Sequence, residues 1–241
     1  MNLKSQLYKA VKQVYHEQQA FTASLGETEQ NSIGKIDRWS IKDNLVHIAF
    51  WKQRLADNMA AHRRGEQPTR TLEVDKANAE IYTNHQMDTW QEVMHQADQA
   101  QQDMLSELEH LTLEDLLGTH TLPWQTSPLW RTIAGTGALH PIIHLASCAI
   151  EQGRASAALA MYDEVMPILQ PLSDDNVWRG MLLYDRACVL ALAGMKSQAL
   201  SLLQDSLALD PSIVDWAMQD SDLASLHDEP EFQALSRQAN K

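Results

Sequence analysis

Apolar side chains three and four residues apart recur along most of this chain, which commits it to helices packed face to face. In the opening segment, from about Asn2 to Ser24, Leu7, Val11, Val14, Phe21 and Leu25 fall on one stripe, with Gln18 as its polar interruption. Gly26 stops that helix, and a polar loop follows through Arg38. A second helix opens at Ser40, where Asp43 three residues on completes a capping box that satisfies otherwise orphaned backbone N–H groups. Ile41, Leu45, Ile48, Leu55 and Met59 form its apolar face, and Arg63-Arg64-Gly65 closes it with charge that suits a helix C-terminus. Only 9 glycines and 8 prolines punctuate 241 residues, as an all-α chain requires.

After Pro68 a third helical region extends to about His110, with a break expected near Met87 because Asp88 and Gln91 resemble a fresh N-cap and N3 pair. A short turn over 112–117 leads to a loop, Leu122–Ser127, that carries proline and tryptophan. A fourth helix then starts with Ser127 as cap and Pro128 in first position, and Trp130, Ile133, Leu139, Ile142, Ile143, Leu145 and Ala149 line it. Pro141 lies inside this helix and cannot donate to the Gly137 carbonyl, so a kink is expected there. Four helices in about 150 residues read as a bundle.

Beyond Gly153 the texture changes to alanine and leucine at short helical spacing. The segment His144–Leu159 aligns with Asp185–Leu200, with identities at Ala146/Ala187, Gly153/Gly194, Ser156/Ser197, Ala158/Ala199 and Leu159/Leu200. Small residues let paired helices approach closely, and the glycine ends the first helix of each pair. The second copy resembles a tetratricopeptide unit, with Ala187 and Ala199 at small-residue positions and Pro211 after the second helix. The extra length of the repeat is expected as a loop over 170–176. The expected organisation is a bundle over 1–153 and a helical repeat over 154–241 that shares the last bundle helix, the two docking rigidly.

Thirty-two acidic against 19 basic side chains leave a formal charge of −13, which repels phosphate backbones and anionic lipid. Nucleic-acid and membrane partners are therefore not expected, and the longest uninterrupted apolar stretch, Ala187–Ala193, is far short of a membrane span. Cys148 and Cys188 sit in apolar helical runs with no metal spacing, which suits a reducing, cytoplasmic compartment.

Of the 10 histidines, His16, His62, His85, His95 and His110 lie on polar stretches and His227 in an acidic turn, and these read as solvated surface groups. His140 and His144 are different: at i, i+4 they project from one helix face and can reach one metal ion. His47 sits beside the apolar stripe of the second helix, with Asn44 and Trp51 on the same strip. If the second and fourth helices are neighbours, three imidazoles converge and leave open positions for water or substrate. The alternative for His47 is a buried, hydrogen-bonded core residue. Asn78 and Tyr82 share a face at i, i+4, and Trp124 and Trp130 flank the loop over the bundle mouth, as walls of a small-molecule pocket or as ordinary core. No nucleophile–base pair, nucleophile-elbow motif or phosphate-binding loop is present in the sequence, so no catalytic residue is assigned.

The segment Arg38–Trp51 resembles the second-helix signature of the DinB-like four-helix-bundle superfamily, and His140–Ala146 resembles its last-helix H-x-x-x-H. Asn78–Val93 and Leu111–Trp124 are similar to the ClbS/DfsB branch in particular. The resemblance implies a divalent metal, zinc or nickel, held by histidines that match His47, His140 and His144. It also implies thiol-dependent transfer or isomerisation or, for the ClbS/DfsB branch, protective hydrolytic opening of a strained electrophilic ring.

The expected function is that of a metal-binding protein acting on a small electrophilic molecule, as a hydrolase or thiol transferase. The alternatives are non-catalytic sequestration of a small molecule, or an interaction module whose repeats bind a protein; a homodimer is compatible with all three. Ligation needs neutral imidazoles, so metal-dependent activity is expected to fall as the pH drops through the histidine range, about 6.5 or below.

Overall fold

The computed structural model describes residues 2–71 and 73–239. Among the described residues the chain forms α-helices with short 3-10 and π segments, and no β-strand beyond an isolated bridge between Lys35 and Arg38. It divides into two compact units, Met1–Leu145 and Ala146–Lys241, and the division falls inside a helix.

The first unit contains α1 (Leu3–Ala23), α2 (Glu27–Gln30), α3 (Ile41–Arg63), α4 (Val74–His85), α5 (Trp90–His110), α6 (Leu113–Leu117) and α7 (Leu129–Ala134). A π-helical turn, Gly135–Leu139, then joins α7 to α8 (His140–Glu151). Local chemistry sets these boundaries. Asn2 caps α1 by accepting from the Ser5 N–H. At α3 the Ser40 hydroxyl accepts from the Asp43 N–H while the Asp43 carboxylate accepts from the Ser40 N–H, the reciprocal box expected from the sequence. The break near Met87 is present, but the cap is one residue later than expected: Thr89 and Glu92 make the box. Asp88 is occupied instead with His85 and Gln96. The fourth helix likewise starts one residue late, with Pro128 in the N-cap position.

Cross-helix pairs give the directions. Lys4 Nζ donates to the carbonyls of Glu109 and Leu111, so α1 runs against α5. Lys42, Lys52 and Arg63 reach Asp88, Gln101 and Glu107 in step, so α3 and α5 are parallel. Asn44 meets His144 and His47 meets His140, so α3 runs against α8. The arrangement is an up-down-down-up bundle. Ala49, Ala97 and Ala100 form a small-residue contact that lets α3 and α5 close together.

Pro141 has the effect expected of it, in a specific form. Its ring nitrogen cannot donate to Gly137, and the backbone widens into the π turn, with His140 N–H donating to the Gly135 carbonyl. Gly137 brings this turn close to its neighbours: a Cβ there would lie 2.4 Å from Met104 Cε and 2.8 Å from Val11 Cγ2. The continuous helical stretch Leu129–Glu151 has the length and apolar character of a membrane span, although polar residues interrupt it; 61% of its most apolar window is buried in protein.

The second unit continues with α9 (Ala155–Leu169), α10 (Asn176–Leu192), α11 (Lys196–Leu209), α12 (Val214–Ala217) and α13 (Pro230–Ala239). A 3-10 turn, Gln170–Leu172, and the Asp175 cap occupy the stretch expected as the extra loop. The repeated glycines do the same work. Gly153 and Gly194 have φ of +74° and +78°. Each ends a helix with the same paired hydrogen bonds, Gly153 to Ile150 and Arg154 to Ala149, then Gly194 to Ala191 and Met195 to Leu190. Ala187, Ala191, Ala199 and Leu203 lie in an apolar core with Leu223, Leu226 and Phe232.

Candidate metal centre

The capping box at Ser40 fixes where α3 begins and hence which residues face inward. The first three turns of α3 then present Asn44, His47 and Trp51 toward α8 and α4. The π turn before α8 sets the rotation of His140 and His144. The result brings the three candidate histidines together. His47 Nε2 lies 2.7 Å from His140 Nε2, and His144 Nε2 lies 3.1 Å from the same atom. One ligand atom from each lies within 4.8 Å of those of the other two.

Hydrogen-bond arithmetic shows what this cluster needs. Asn44 Nδ2 donates to the Ser40 carbonyl at 2.9 Å, which fixes the orientation of its amide. Its Oδ1 can then only accept, so the 2.8 Å contact with His144 Nδ1 requires a proton on Nδ1 and leaves His144 Nε2 as a bare lone pair. His140 Nε2 has room for one in-plane hydrogen bond, yet two imidazole nitrogens crowd it. A single proton serves both contacts only as a weak three-centre bond, whereas a cation shared by three lone pairs suits them. Nitrogens about 2.0–2.1 Å from one ion stand roughly 2.9–3.4 Å apart, close to the spacing found. The His144–Asn44 bond is the kind of outer support that orients metal-ligating imidazoles. His47 and His140 keep Nδ1 buried without a partner among the described residues.

Burial also sets the protonation state. His47, only 4% exposed, is pushed down to about 3 by desolvation and by the neighbouring His144, with Asn78 opposing. Desolvation takes His144 to about 4, and desolvation with the adjacent His144, His47 and Lys52 carries His140 well below its ordinary value. The three imidazoles are therefore neutral and ligand-ready well into mild acid. Burial moves their protonation to the lower side of the expected window, which is pH 6.5 or below.

The other candidates divide. Trp51 Nε1 donates to Asn78 Oδ1 at 3.2 Å, and the Trp51 ring meets that of His47 edge-on at 6.3 Å. Asn78 and Trp51 thus border the triad. The Tyr82 hydroxyl donates to the Gly34 carbonyl and ties α4 to the loop before α3. Trp124 shares a cavity wall with Trp51. Trp130 is a buried core residue with the Arg131 guanidinium 5.4 Å from its ring.

Sequence reasoning missed two neighbours. Trp39 lies just before the α3 cap, its ring 4.9 Å from that of His47. Lys52, 1% exposed, donates to Gln101 Oε1 at 2.8 Å inside the bundle. A lysine five residues after His47 carried no signal of burial by itself; the unusual feature was its place beside the apolar stripe. The surface reading also fails in part for His62 and His85, which pair with Asp115 and Asp88. Both cysteines are free and buried, and burial pushes both thiols up, away from reactivity.

The site is thus an inward-facing trio of histidines in an up-down-down-up helical bundle, two from one helix and one from the helix opposite, a set that could hold a metal ion. The chain belongs to the DinB superfamily, which it matches over residues 10–147. A tetratricopeptide repeat matches residues 138–212. No curated protein and no solved structure matches the chain.

Proposed function

We propose that His47, His140 and His144 hold a divalent metal, zinc or nickel, and that the site acts on a small electrophilic molecule as a hydrolase or thiol-dependent transferase. The observation that carries this reading is the His140 Nε2 atom, faced by two further imidazole nitrogens at distances that suit a shared cation. When bound, such an ion supplies Lewis-acid activation of water or of a thiol.

The chain's own residues do the rest. Asn44 holds the His144 tautomer. Trp39 and Trp51 wall the cluster on the His47 side and keep the imidazoles dry and neutral. Asn78 is the polar group placed to orient a ligand at that wall. Similarity of Asn78–Val93 and Leu111–Trp124 to the ClbS/DfsB branch favours a protective role against a reactive electrophile, in a cytoplasmic setting. The repeat segment offers a docking module for a protein partner.

Elemental analysis of the purified full chain tests the proposal. One equivalent of zinc or nickel is expected, lost in His140→Ala, removed by chelator and restored by added metal. Because the imidazoles stay neutral below their ordinary pKa, the metal is expected to survive pH 6 and to leave only as the pH approaches about 4. Wild-type protein that takes up no metal, or His140→Ala protein that retains it, overturns the reading.

A further inference from the structure

Beside the triad lies a cavity of about 180 Å³ whose chemistry differs from the rest of the chain. Its walls include Trp51 and Arg54 from α3, Arg70 from the following loop, Trp124, and Thr132 and Thr136 from α7 and the π turn. No carboxylate lines it, in a chain with 32 acidic and only 19 basic side chains. Arg54 Nε is buried and has no hydrogen-bond partner. Arg54 is half-buried, and a buried N–H left without an acceptor is costly; an oxyanion facing the cavity satisfies it through a charge-assisted hydrogen bond.

The surroundings hold this group in place. Asn58, one turn beyond Arg54, spends its amide on the loop: Nδ2 donates to the Thr69 carbonyl and Oδ1 accepts from the Thr69 N–H. That clamp fixes the segment bearing Arg70 against α3. Thr132 and Thr136 add hydroxyls at i, i+4 on the opposite wall, and Trp51 and Trp124 supply flat apolar faces.

The cavity also points toward the chemistry. His47, Trp51, Arg54 and Asn58 form one stripe along α3, and Thr132, Thr136 and His140 succeed one another on the facing helix. The α3 stripe that carries His47 at one end carries the arginine about two turns further on.

We infer that this cavity is an anion subsite, which binds the carboxylate or phosphate of a small organic acid through Arg54, with Arg70 closing over it and the two tryptophans flanking its carbon arm. The reacting end of that molecule then lies at the triad, a placement that rests on the proposed function; the anion binding does not. The ligand class is a short-chain organic anion of a few carbons, which the cavity volume accommodates.

The test uses the full chain, titrated with succinate and separately with inorganic phosphate, against chloride at matched ionic strength. Binding is read by calorimetry and by the Arg54 Nε–H resonance, and metal content is measured on the same samples. Saturable binding of succinate or phosphate that shifts the Arg54 resonance is expected, and the stronger of the two probes identifies the anion. Arg54→Gln is expected to weaken it at least about tenfold, with partial recovery in Arg54→Lys. Metal content is expected to be the same in all three proteins. No saturable binding, or binding that leaves the Arg54 resonance and the Arg54→Gln affinity unchanged, overturns the inference. Anion binding in protein that takes up no metal would retain the subsite and reject the metal reading; metal without anion binding would do the reverse.

Discussion

The two units bury different things. In the first, Gln18, Asp43, His47, Lys52, Asn58, Gln101 and Gln125 are buried polar or charged groups, set among the helices that carry the triad. Among the described residues of the second, Ser206 and Asp210 are the buried polar or charged residues, and the core around α10 and α11 is made mostly of small and aliphatic residues, with Tyr184 donating to Asp220 at its edge. Ser206 donates to the Gly180 carbonyl and Asp210 caps the turn that follows α11, so both serve the backbone. In the first unit Asp43, Asn58 and Gln125 also serve the backbone, but Lys52 with Gln101 and His47 with His140 are polar side chains packed against one another inside the bundle, an arrangement that costs stability.

Lys52 gives the sharpest way to break that contrast. Burial takes its ammonium down from 10.5 to about 7. Between those values the unfolded chain carries a proton that the folded chain lacks, so this residue makes stability rise with pH across the window. Below about 7 both states are charged and the penalty is complete. Replacing the lysine alone would strand Gln101, whose other contact is a long one to the Val11 carbonyl at 3.4 Å. The pair Lys52→Met/Gln101→Leu is therefore expected to stabilise the protein by about 1–4 kcal/mol at neutral pH, as replacement of buried charge commonly does. The gain should vanish above pH 10.5. Denaturant unfolding at several pH values checks it; a destabilised double variant at pH 7 would show that the buried polar groups of this unit support the fold.

A smaller effect is expected at Asn44. Its amide fixes the His144 tautomer without touching the position the ion would take. Asn44→Ala frees His144 Nδ1 and removes a support that typically contributes about 10–100-fold in metal affinity. Competition with a chelator of known affinity measures the change. Asn44→Asp, which keeps an acceptor, should recover most of it. Equal affinity in wild type and Asn44→Ala would leave the histidines positioned by packing alone.

What the sequence made legible follows the same division. Groups defined by spacing along one helix could be read: His140 with His144, the Ser40–Asp43 box, the glycines at 153 and 194. Groups defined by a meeting of helices could not. Lys52 looks like any helical lysine until Gln101 closes over it, and the Tyr15 ring lies 5.5 Å from its Nζ. Arg54 and Arg70 are separated by a helix end and a loop, and only the Asn58 clamp brings them to one cavity. Trp39 precedes its helix and belongs to no periodic stripe. The cap at Thr89 was misplaced by one residue because Asp88 and Thr89 are both good caps, and the choice depends on His85 and Gln96 engaging Asp88.

The smallest effects compare one substitution in the two units. Gly194 has φ +78° and nothing within 4 Å of where a Cβ would stand. Gly194→Ala therefore meets backbone strain alone, about 1–2 kcal/mol, offset in part by the entropy the unfolded chain loses. Gly153, at φ +74° and equally open, should respond alike if the repeat is a physical one as well as a pattern of letters. Gly137→Ala in the first unit has no such strain; its cost is the clash with Met104 and Val11. Trimming Met104 to alanine should relieve that clash, so the double variant should lose less than the sum of the two single changes. Asparagine tolerates the left-handed region, so Gly194→Asn should be milder than Gly194→Ala, while Gly137→Asn should be harsher than Gly137→Ala. Thermal unfolding of these variants separates the two mechanisms: a Gly194 penalty that grows with side-chain volume would mean that the repeat turn is set by packing after all.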